Sequence, residues 1–257
     1  MCLILLAVRA HPVYSLILAG NRDEYYDRPT SPASFWDDLP GLLAGRDLRA
    51  GGTWLGVTRQ GKVAAITNYR NPSQIRDRAP SRGGLVSGFL SGTRSPSEYI
   101  AWLGPKAEEY SGFNLIVGEK DELLWYSNEG RGARVLSPGV YGLSNGLLDT
   151  SWPKVTRGKE ALRKLLSQGD EDLAGHLFKI LADGSIPKDE DLPDTGVGLE
   201  WERTLSPLFI QSPVYGTRAS SLLFLDMDGR VTFMERSFNG GGPDRHDTVR
   251  YEFDIQP

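Results

Sequence analysis

Strand-like segments that come in pairs, each pair joined by a short turn, constrain the fold of this chain more than any other feature. The turn DMDG at 226–229 separates two β-rich segments, 222–225 and 231–235, and is a strong hairpin signal. Further pairs and a last single strand are predicted at 3–8 with 14–19, 53–58 with 62–67, 113–118 with 122–127, and 249–255. Antiparallel hairpins at both ends of the chain predict mostly antiparallel sheets.

Helical periodicity is confined to the middle of the chain. Apolar residues recur at three- and four-residue spacing in four segments, 84–90, 97–110, 153–168 and 170–182. Hairpins therefore bracket a helical block, which is typical of an α+β fold whose helices cover sheet faces. The acidic, turn-rich segment 184–198 is predicted to be a surface loop or a lid.

Composition argues against several functional classes. The net charge is −4, and lysine and arginine are scattered along the 257 residues, so the chain lacks the basic patch of a nucleic-acid-binding protein. No window reaches the roughly 18 consecutive apolar residues of a spanning helix, and the apolar start CLILLAV lacks the flanks of a signal peptide. A single cysteine excludes an internal disulfide and fits a reducing compartment, so we expect a cytoplasmic protein.

An apolar strand that leads directly into four polar residues is the most unusual local pattern. In LILAGNRDEYYDRP, residues 17–30, the apolar segment runs into the quartet NRDE at 21–24. If the first two predicted strands form a hairpin, residue pairs whose numbers sum to about 24 lie opposite each other. Cys2 then lies opposite Arg22. The quartet is predicted to follow the second strand, beside the only thiol of the chain.

This position suits a reactive cysteine. A free thiol titrates at about 8.5, and a neighbouring guanidinium favours the thiolate, which is the nucleophilic form. Removal of Met1 would free the α-amine of Cys2, with a reference pKa of about 7.7–8.0, to act as a general base. Such a thiol needs no histidine, and His11, His176 and His246 show neither metal-ligand nor nucleophile-partner spacing.

A structural explanation of the same residues stays open. A buried cysteine at the start of an apolar strand is usually a small hydrophobic residue. Arg22 beside Asp23 at a strand end is usually a solvated ion pair worth less than about 1 kcal/mol.

Short motifs spread over nearly the whole chain resemble one family. Cys2 is followed by NRDE at 21–24, GGTWLG at 51–56, TNYR at 67–70, SRG at 81–83, LSNG at 143–146 and YGTR at 215–218. Together they resemble the NRDE family, also called the transport and Golgi organization protein 2 family. That family is similar to the N-terminal nucleophile hydrolases, so the resemblance implies one domain over residues 1–257, built as a four-layer αββα sandwich of mostly antiparallel sheets.

The resemblance also implies catalytic roles, taken from the choloylglycine hydrolase and penicillin V acylase branch of those hydrolases. Cys2 matches the cysteine that attacks an amide after loss of the initiator methionine. Arg22 and Asp23 match the residues that hold the thiolate and the amine, although the hydrolases separate them by two residues. Asn68 and Asn145 match two asparagines that orient the amine and form the oxyanion hole.

Two further residues are expected at the substrate. Arg218, just before a predicted strand, is either a bidentate clamp for a substrate carboxylate or an ordinary strand-end arginine on the surface. Trp54 is expected in the pocket wall or the core, because large aromatic side chains dominate buried area.

Two functions of different classes follow from the resemblance. The first is a cysteine hydrolase of the non-peptide C–N bond of a small acyl amide. The second is a non-enzymatic carrier of haem or of an acyl-lipid or acyl-coenzyme A ligand in the same cavity. Neither requires a resident cofactor or metal, and haem enters only as a transported ligand, since the chain has no Cys-x-x-Cys-His attachment motif. The expected partner is a small molecule, and the oligomeric state is left open.

Overall fold

The computed structural model describes residues 2–74, 76, 79–119, 122–169, 172–240 and 242–256. Its strands are β1 (Cys2–Val8), β2 (Tyr14–Tyr25), β3 (Thr30–Trp36), β4 (Leu39–Asp47), β5 (Leu55–Thr58), β6 (Val63–Asn68), β7 (Phe113–Glu119), β8 (Glu122–Ser127), β9 (Arg134–Val135), β10 (Gly139–Leu143), β11 (Tyr215–Asp226), β12 (Arg230–Phe238) and β13 (His246–Asp254). Its α-helices are α1 (Gly83–Ser91), α2 (Pro96–Leu103), α3 (Pro153–Gln168), α4 (Leu173–Leu181) and α5 (Leu199–Leu205).

The strands form two antiparallel sheets. Within the described part of the chain, one sheet has the order β10-β1-β2-β11-β12-β13 and the other β3-β4-β5-β6-β7-β8-β9. Helices α3 and α4 pack on the first sheet, and α1 and α2 pack on the second. The sheets face each other through β1 with β6 and β12 with β3. The protein is therefore an α+β sandwich of four layers, αββα, as predicted.

Strand β1 shows why the apolar run at the start of the chain forms a central strand. Its seven residues are all buried. Side chains alternate across a strand, so Leu3 and Leu5 belong to the core beneath α3 and α4, whereas Ile4 and Leu6 belong to the core between the sheets. A strand covered on both faces needs apolar residues at every position, which explains the unbroken pattern.

The sequence predicts that the quartet follows the second strand, whereas the structure places it inside that strand. Strand β2 continues to Tyr25 because β11 pairs with it along its whole length, from Tyr14 opposite Asp226 to Tyr25 opposite Tyr215. The prediction that Arg218 precedes its strand is wrong for the same reason. Arg218 lies within β11, at a β-bulge between Thr217 and Ala219.

Other boundaries shift by smaller amounts. The predicted helix 97–110 is α2 followed by a 3-10 turn at Gly104–Glu109. The predicted helix 170–182 is α4, capped by the Asp172 carboxylate, and its first two predicted positions lie outside the described residues. The sequence patterns missed β3, β4, β9, β10 and α5.

Candidate active site

The alternation of side chains along β2 gives the four quartet residues two different environments. Asn21 points toward the helical layer, where its amide donates to the carbonyl oxygens of Leu181 and Leu208, both at 2.8 Å. Its own oxygen accepts from Ser220 Oγ at 2.6 Å. Asn21 thus ties the end of α4 and the chain after α5 to the sheet, and its role is structural.

Arg22 lies directly opposite Cys2 in the antiparallel pair of β1 and β2, in the predicted register. Both are 8% exposed and line a cavity of about 550 Å³. Arg22 Nη1 donates to Thr30 Oγ1 at 3.3 Å, and Arg22 Nη2 lies 3.9 Å from Glu24 Oε2. The only thiol of the chain therefore meets a guanidinium at the wall of a cavity.

Burial controls the titration of that thiol. Burial raises the pKa of Cys2, and the negative charge of Asp23 acts in the same direction. Arg22 and the backbone N–H of Asp23 lower the pKa of the thiol without cancelling the rise. The resting group is accordingly a neutral thiol, which must lose its proton before or during any attack.

Asp23 points to the other face of β2 and is 1% exposed. Its Oδ1 accepts from Thr217 Oγ1 at 2.7 Å, and its backbone carbonyl accepts from the Tyr215 hydroxyl at 3.0 Å. Burial raises the pKa of Asp23, and the ammonium of Lys154 opposes that rise. Lys154, at the start of α3, is 2% exposed and donates to the Leu205 carbonyl at 2.9 Å.

Lys154 is a site residue that the sequence patterns did not single out. Burial lowers its pKa from 10.5 to about 8, against the favourable charge of Asp23. A lysine in the first turn of an amphipathic helix looks like an ordinary surface residue in the sequence. Only the packing of α3 on β10 and β1 brings it to the buried carboxylate of β2.

The side chains of Asn68 and Asn145 differ in their hydrogen bonding. Asn145 is fully buried, donates from Nδ2 to the Asn68 carbonyl at 2.9 Å, and accepts from Ser144 Oγ at 3.3 Å. Ser144 Oγ also donates to the Cys2 carbonyl at 3.1 Å. Asn68 lines the cavity, and no hydrogen bond to another described residue holds its side-chain amide. Asn145 therefore supports the backbone of Asn68, and Ser144 supports that of Cys2, whereas the Asn68 side chain has a donor available to a ligand.

Trp54 lines the cavity and is 8% exposed. Its ring packs against Gly20 in β2, where an added Cβ would lie 3.1 Å from Trp54 Cη2 and 2.8 Å from the Leu3 carbonyl oxygen. Gly52, in the loop before Trp54, also permits a close backbone contact, since a Cβ there would lie 2.4 Å from the Gly83 carbonyl carbon. The glycines before NRDE and in GGTWLG thus permit close packing of the cavity wall.

Two further arginines line the cavity and bind backbone carbonyl oxygens. Arg218 lines it and donates from Nη1 to the carbonyl oxygens of Tyr25, Tyr26 and Arg28 at 2.9–3.1 Å. Arg82, from the SRG motif, also lines it and donates from Nη1 to the Gly112 carbonyl at 3.0 Å. Among the ion pairs of the described residues, none includes Arg82 or Arg218. Sequence reasoning gave Arg82 no role.

The remaining charges near Arg22 form a chain of ion pairs. Arg28 Nη2 lies 2.7 Å from Asp47 Oδ2, and Arg28 Nε lies 3.7 Å from Glu24 Oε2. Asp47 Oδ1 also accepts from the backbone of Arg49 and Ala50 and so closes the turn after β4. Glu24 is an ion-pair partner on the same face as Arg22, as expected from strand alternation.

A second cavity of about 510 Å³ adjoins the first. Glu24, Asn68, Arg82 and Ser111 line both cavities. The other residues of its wall are Tyr25, Tyr69, Arg70, Asn71, Pro72, Gly112, Gly196, Val197, Trp201, Leu205 and Tyr215. Part of the wall comes from α5 and from the end of the segment predicted as a loop or lid.

A buried ion pair fixes that part of the wall. Arg70 Nη1 lies 2.6 Å from Glu202 Oε2, with both side chains at most 5% exposed. Glu202 Oε1 accepts from the backbone N–H of Thr195 at 2.8 Å and from its hydroxyl at 2.5 Å. The Arg70 guanidinium lies 4.9 Å from the centre of the Trp152 ring. Glu202 thus anchors α5 and the preceding loop to the end of β6.

The described residues contain no group of three or more His, Cys, Asp and Glu side chains arranged to hold a metal ion. None of the helices in the described ranges is long and apolar enough to cross a membrane.

Comparison with solved structures defines the class of the fold. The chain superposes on a variant of the conjugated bile acid hydrolase from Clostridium perfringens with a TM-score of 0.51, over 99% of this chain and 98% of that chain, at 12% identity. Together with the four layers described above, this likeness assigns the N-terminal nucleophile hydrolase-like fold.

Sequence comparison defines the family. The family model of Transport and Golgi organisation 2 matches residues 1–240. The Transport and Golgi organization protein 2 homolog of Bos taurus is 37% identical over 280 residues, and that of Homo sapiens is 36% identical over 276 residues, each covering 100% of both chains. The chain belongs to the transport and Golgi organisation 2 family, in agreement with its motifs.

Proposed function

We propose that this protein is a cysteine hydrolase of the N-terminal nucleophile type that cleaves the C–N bond of a small acyl amide. The observation that carries the proposal is the position of Cys2, whose thiol lines a cavity opposite Arg22 and next to Asp23. The hydrolase-like fold supports the same chemistry. The lone free thiol suits a reducing compartment, so the proposal keeps the cytoplasm as its location.

Each step of the reaction has a residue to perform it. After removal of Met1, the α-amine of Cys2 takes the thiol proton while Sγ forms a bond to the amide carbon. The Asn68 amide donates to the developing oxyanion, an interaction worth about 2.7–4 kcal/mol in a dry, preorganised site. The C–N bond then breaks, and the protonated amine returns the proton to the leaving nitrogen. Water, deprotonated by the same amine, hydrolyses the thioester and restores the thiol.

The electrostatics of the site fit a mechanism with a general base. Burial raises the pKa of the Cys2 thiol, so the thiolate forms only when a base removes the proton. Arg22 then stabilises the charge that develops on sulfur. Asp23, kept close to Lys154, is the group that holds the α-amine once it is free.

Intact-mass measurement of the protein from its native host tests the proposal first. We expect a mass without Met1, because the mechanism needs the free α-amine. The processed protein should then cleave at least one member of a panel of acyl amides, and Cys2→Ala should abolish that turnover while circular dichroism stays unchanged. Retention of Met1 removes the base and contradicts the mechanism.

A non-enzymatic carrier of haem or of an acyl-lipid or acyl-coenzyme A ligand is the second candidate. Two observations favour it: Asn145, the other proposed oxyanion donor, is fully buried and engaged with Asn68, and two large cavities adjoin each other. No histidine appears among the described residues that line these cavities, so an axial ligand for haem would come from Cys2 in the first cavity or from a tyrosine of the second. A carrier should give a saturable change in the haem spectrum, whereas a non-saturating change contradicts it.

A further inference from the structure

The second cavity has a wall of a different character from the first. Tyr25 and Tyr215 meet edge to face with ring centres 5.1 Å apart, and Trp201 meets Tyr215 in the same way at 6.2 Å. Val197 and Leu205 extend this aromatic surface. Rings held at fixed angles form a rigid apolar surface, which is the usual lining of a small-molecule site.

Two of these rings are unusually exposed. Tyr25 is 48% and Trp201 is 41% exposed, although both belong to a concave surface. Large exposed aromatic groups in a cavity indicate a surface that an apolar ligand group covers. The Arg70–Glu202 pair holds the helix that carries Trp201, so this surface exists before any ligand binds.

The first cavity offers the opposite chemistry. Arg82 and Arg218 use backbone carbonyls as hydrogen-bond acceptors, and no carboxylate pairs with either in the ion pairs of the described residues. The charge of Glu24 acts on both guanidinium groups, but neither forms an ion pair with it, so each keeps N–H donors for an anion. Arg82, like Asn68, lines both cavities and therefore lies where the two cavities adjoin.

We propose that the two cavities are subsites for a single amphiphilic anion, with its charged end beside Arg82 and Arg218 in the first cavity and its apolar ring or chain against Trp201 in the second. The link between the two ends passes Asn68, which lines both cavities, while Cys2 lines the first. This assignment rests on the proposed function and gives it a substrate class, an acyl amide with one anionic and one apolar end. Arg82 is its specificity-determining residue and α5 its apolar wall.

Binding of two carboxylates that have no scissile bond tests the assignment. We choose butanoate and 6-phenylhexanoate, measured by isothermal titration calorimetry on the full chain. The wild type should bind 6-phenylhexanoate at least tenfold more tightly than butanoate. Trp201→Ala should remove most of that advantage and leave butanoate unchanged, and Trp201→Phe should restore it. Trp102→Ala is the matched control, because Trp102 is 36% exposed on α2 and lines neither cavity.

A substitution of Arg82 tests the binding of the charged end of the ligand. Arg82→Gln should weaken both carboxylates at least fivefold and leave the neutral 6-phenylhexanamide within twofold of wild type. If Trp201→Ala and Trp102→Ala bind 6-phenylhexanoate with equal affinity, the apolar subsite is overturned. An equal effect of Arg82→Gln on the acid and the neutral amide overturns the anion subsite, and absence of saturable binding overturns both. Loss of hydrolysis does not affect these readouts, so this assignment and the proposed function fail separately.

Discussion

Arg22 and Cys2 lie directly opposite each other on neighbouring strands, and both face the same cavity. Strand pairing fixes this relationship, since a slip by one residue would turn the guanidinium to the helical side of the sheet. The sheet thereby sets the electrostatics of the thiol.

Replacement of Arg22 by glutamine should slow alkylation of Cys2. The guanidinium lowers the pKa of a thiol that burial raises, so its removal raises that pKa further. The rate with iodoacetamide at pH 7.5 should fall on the order of threefold to tenfold, because only the thiolate reacts. Mass spectrometry gives the rate without ambiguity, since Cys2 is the only cysteine.

Arg46→Gln is the control for that experiment. Arg46 also lines the cavity, but it pairs with the exposed Asp38 at 2.7 Å. Its replacement should leave the alkylation rate near wild type. Equal slowing in both variants would mean that the cavity as a whole, and not the strand partner of Cys2, sets the reactivity.

Asn68 and Asn145 should separate catalysis from structure. Asn68→Ala removes a side chain without a hydrogen bond to the described residues, so the free energy of unfolding should change by less than about 0.5 kcal/mol. In an active hydrolase the same change should lower kcat by about 10²–10³-fold. Asn145→Ala leaves the Asn68 carbonyl without its donor and should cost about 1–3 kcal/mol of stability. Urea unfolding with turnover assays distinguishes them, and similar stability losses would contradict this division.

The hairpins and the register of Cys2 were predictable because local signals determine them. The turn DMDG and the alternation of apolar residues specify a hairpin without reference to the rest of the chain. Strands β3 and β4 were not predictable in this way, because Pro32 and Pro40 interrupt them and their pairing depends on distant strands.

The site was predictable only in part, for a similar reason. The motifs indicated Cys2 and Arg22, whose contact follows from one hairpin. Lys154, Arg82 and the aromatic wall at Trp201 come from separate segments, and only tertiary packing brings them to the cavities or to Asp23. Asn21 shows the converse, since it belongs to the same NRDE motif as Arg22 and Asp23 and yet its contacts are structural.

Lys154 should make stability rise with pH just above neutrality. Its pKa is about 8 in the folded protein and near 10.5 when unfolded, so between these values the unfolded chain binds more protons. Stability that depends on this group therefore increases as the pH rises from 8 to 9, by up to about 1.4 kcal/mol per pH unit. The raised pKa of Cys2 acts in the opposite direction once the unfolded thiol begins to ionise, at about pH 8.5, so the comparison of wild type with a Lys154 variant isolates the lysine.

Chemical unfolding at pH 7, 8 and 9 measures this dependence. Lys154→Met should flatten the rise between pH 8 and 9, because the variant has no ammonium to neutralise. Lys188→Met, at a side chain that is 80% exposed, should retain the wild-type slope. If the free energy of unfolding changes with pH in the same way for wild type and Lys154→Met, then Lys154 has the same charge in the folded and unfolded states over this range, and the prediction is wrong.

Glu202→Gln should release the wall of the second cavity. It removes the charge that pairs with Arg70 at 2.6 Å, and loss of one partner of a buried ion pair typically costs about 3–5 kcal/mol. Because Glu202 also holds Thr195, hydrogen exchange should become faster first in α5 and the preceding loop.

Asp189→Asn is the matched control for Glu202→Gln. Asp189 pairs at an exposed position with Arg203, which also belongs to α5, so its replacement should leave the urea midpoint near wild type. If both variants behave alike, the Arg70–Glu202 pair does not anchor this wall, and the rigid aromatic surface must be held by ring packing alone.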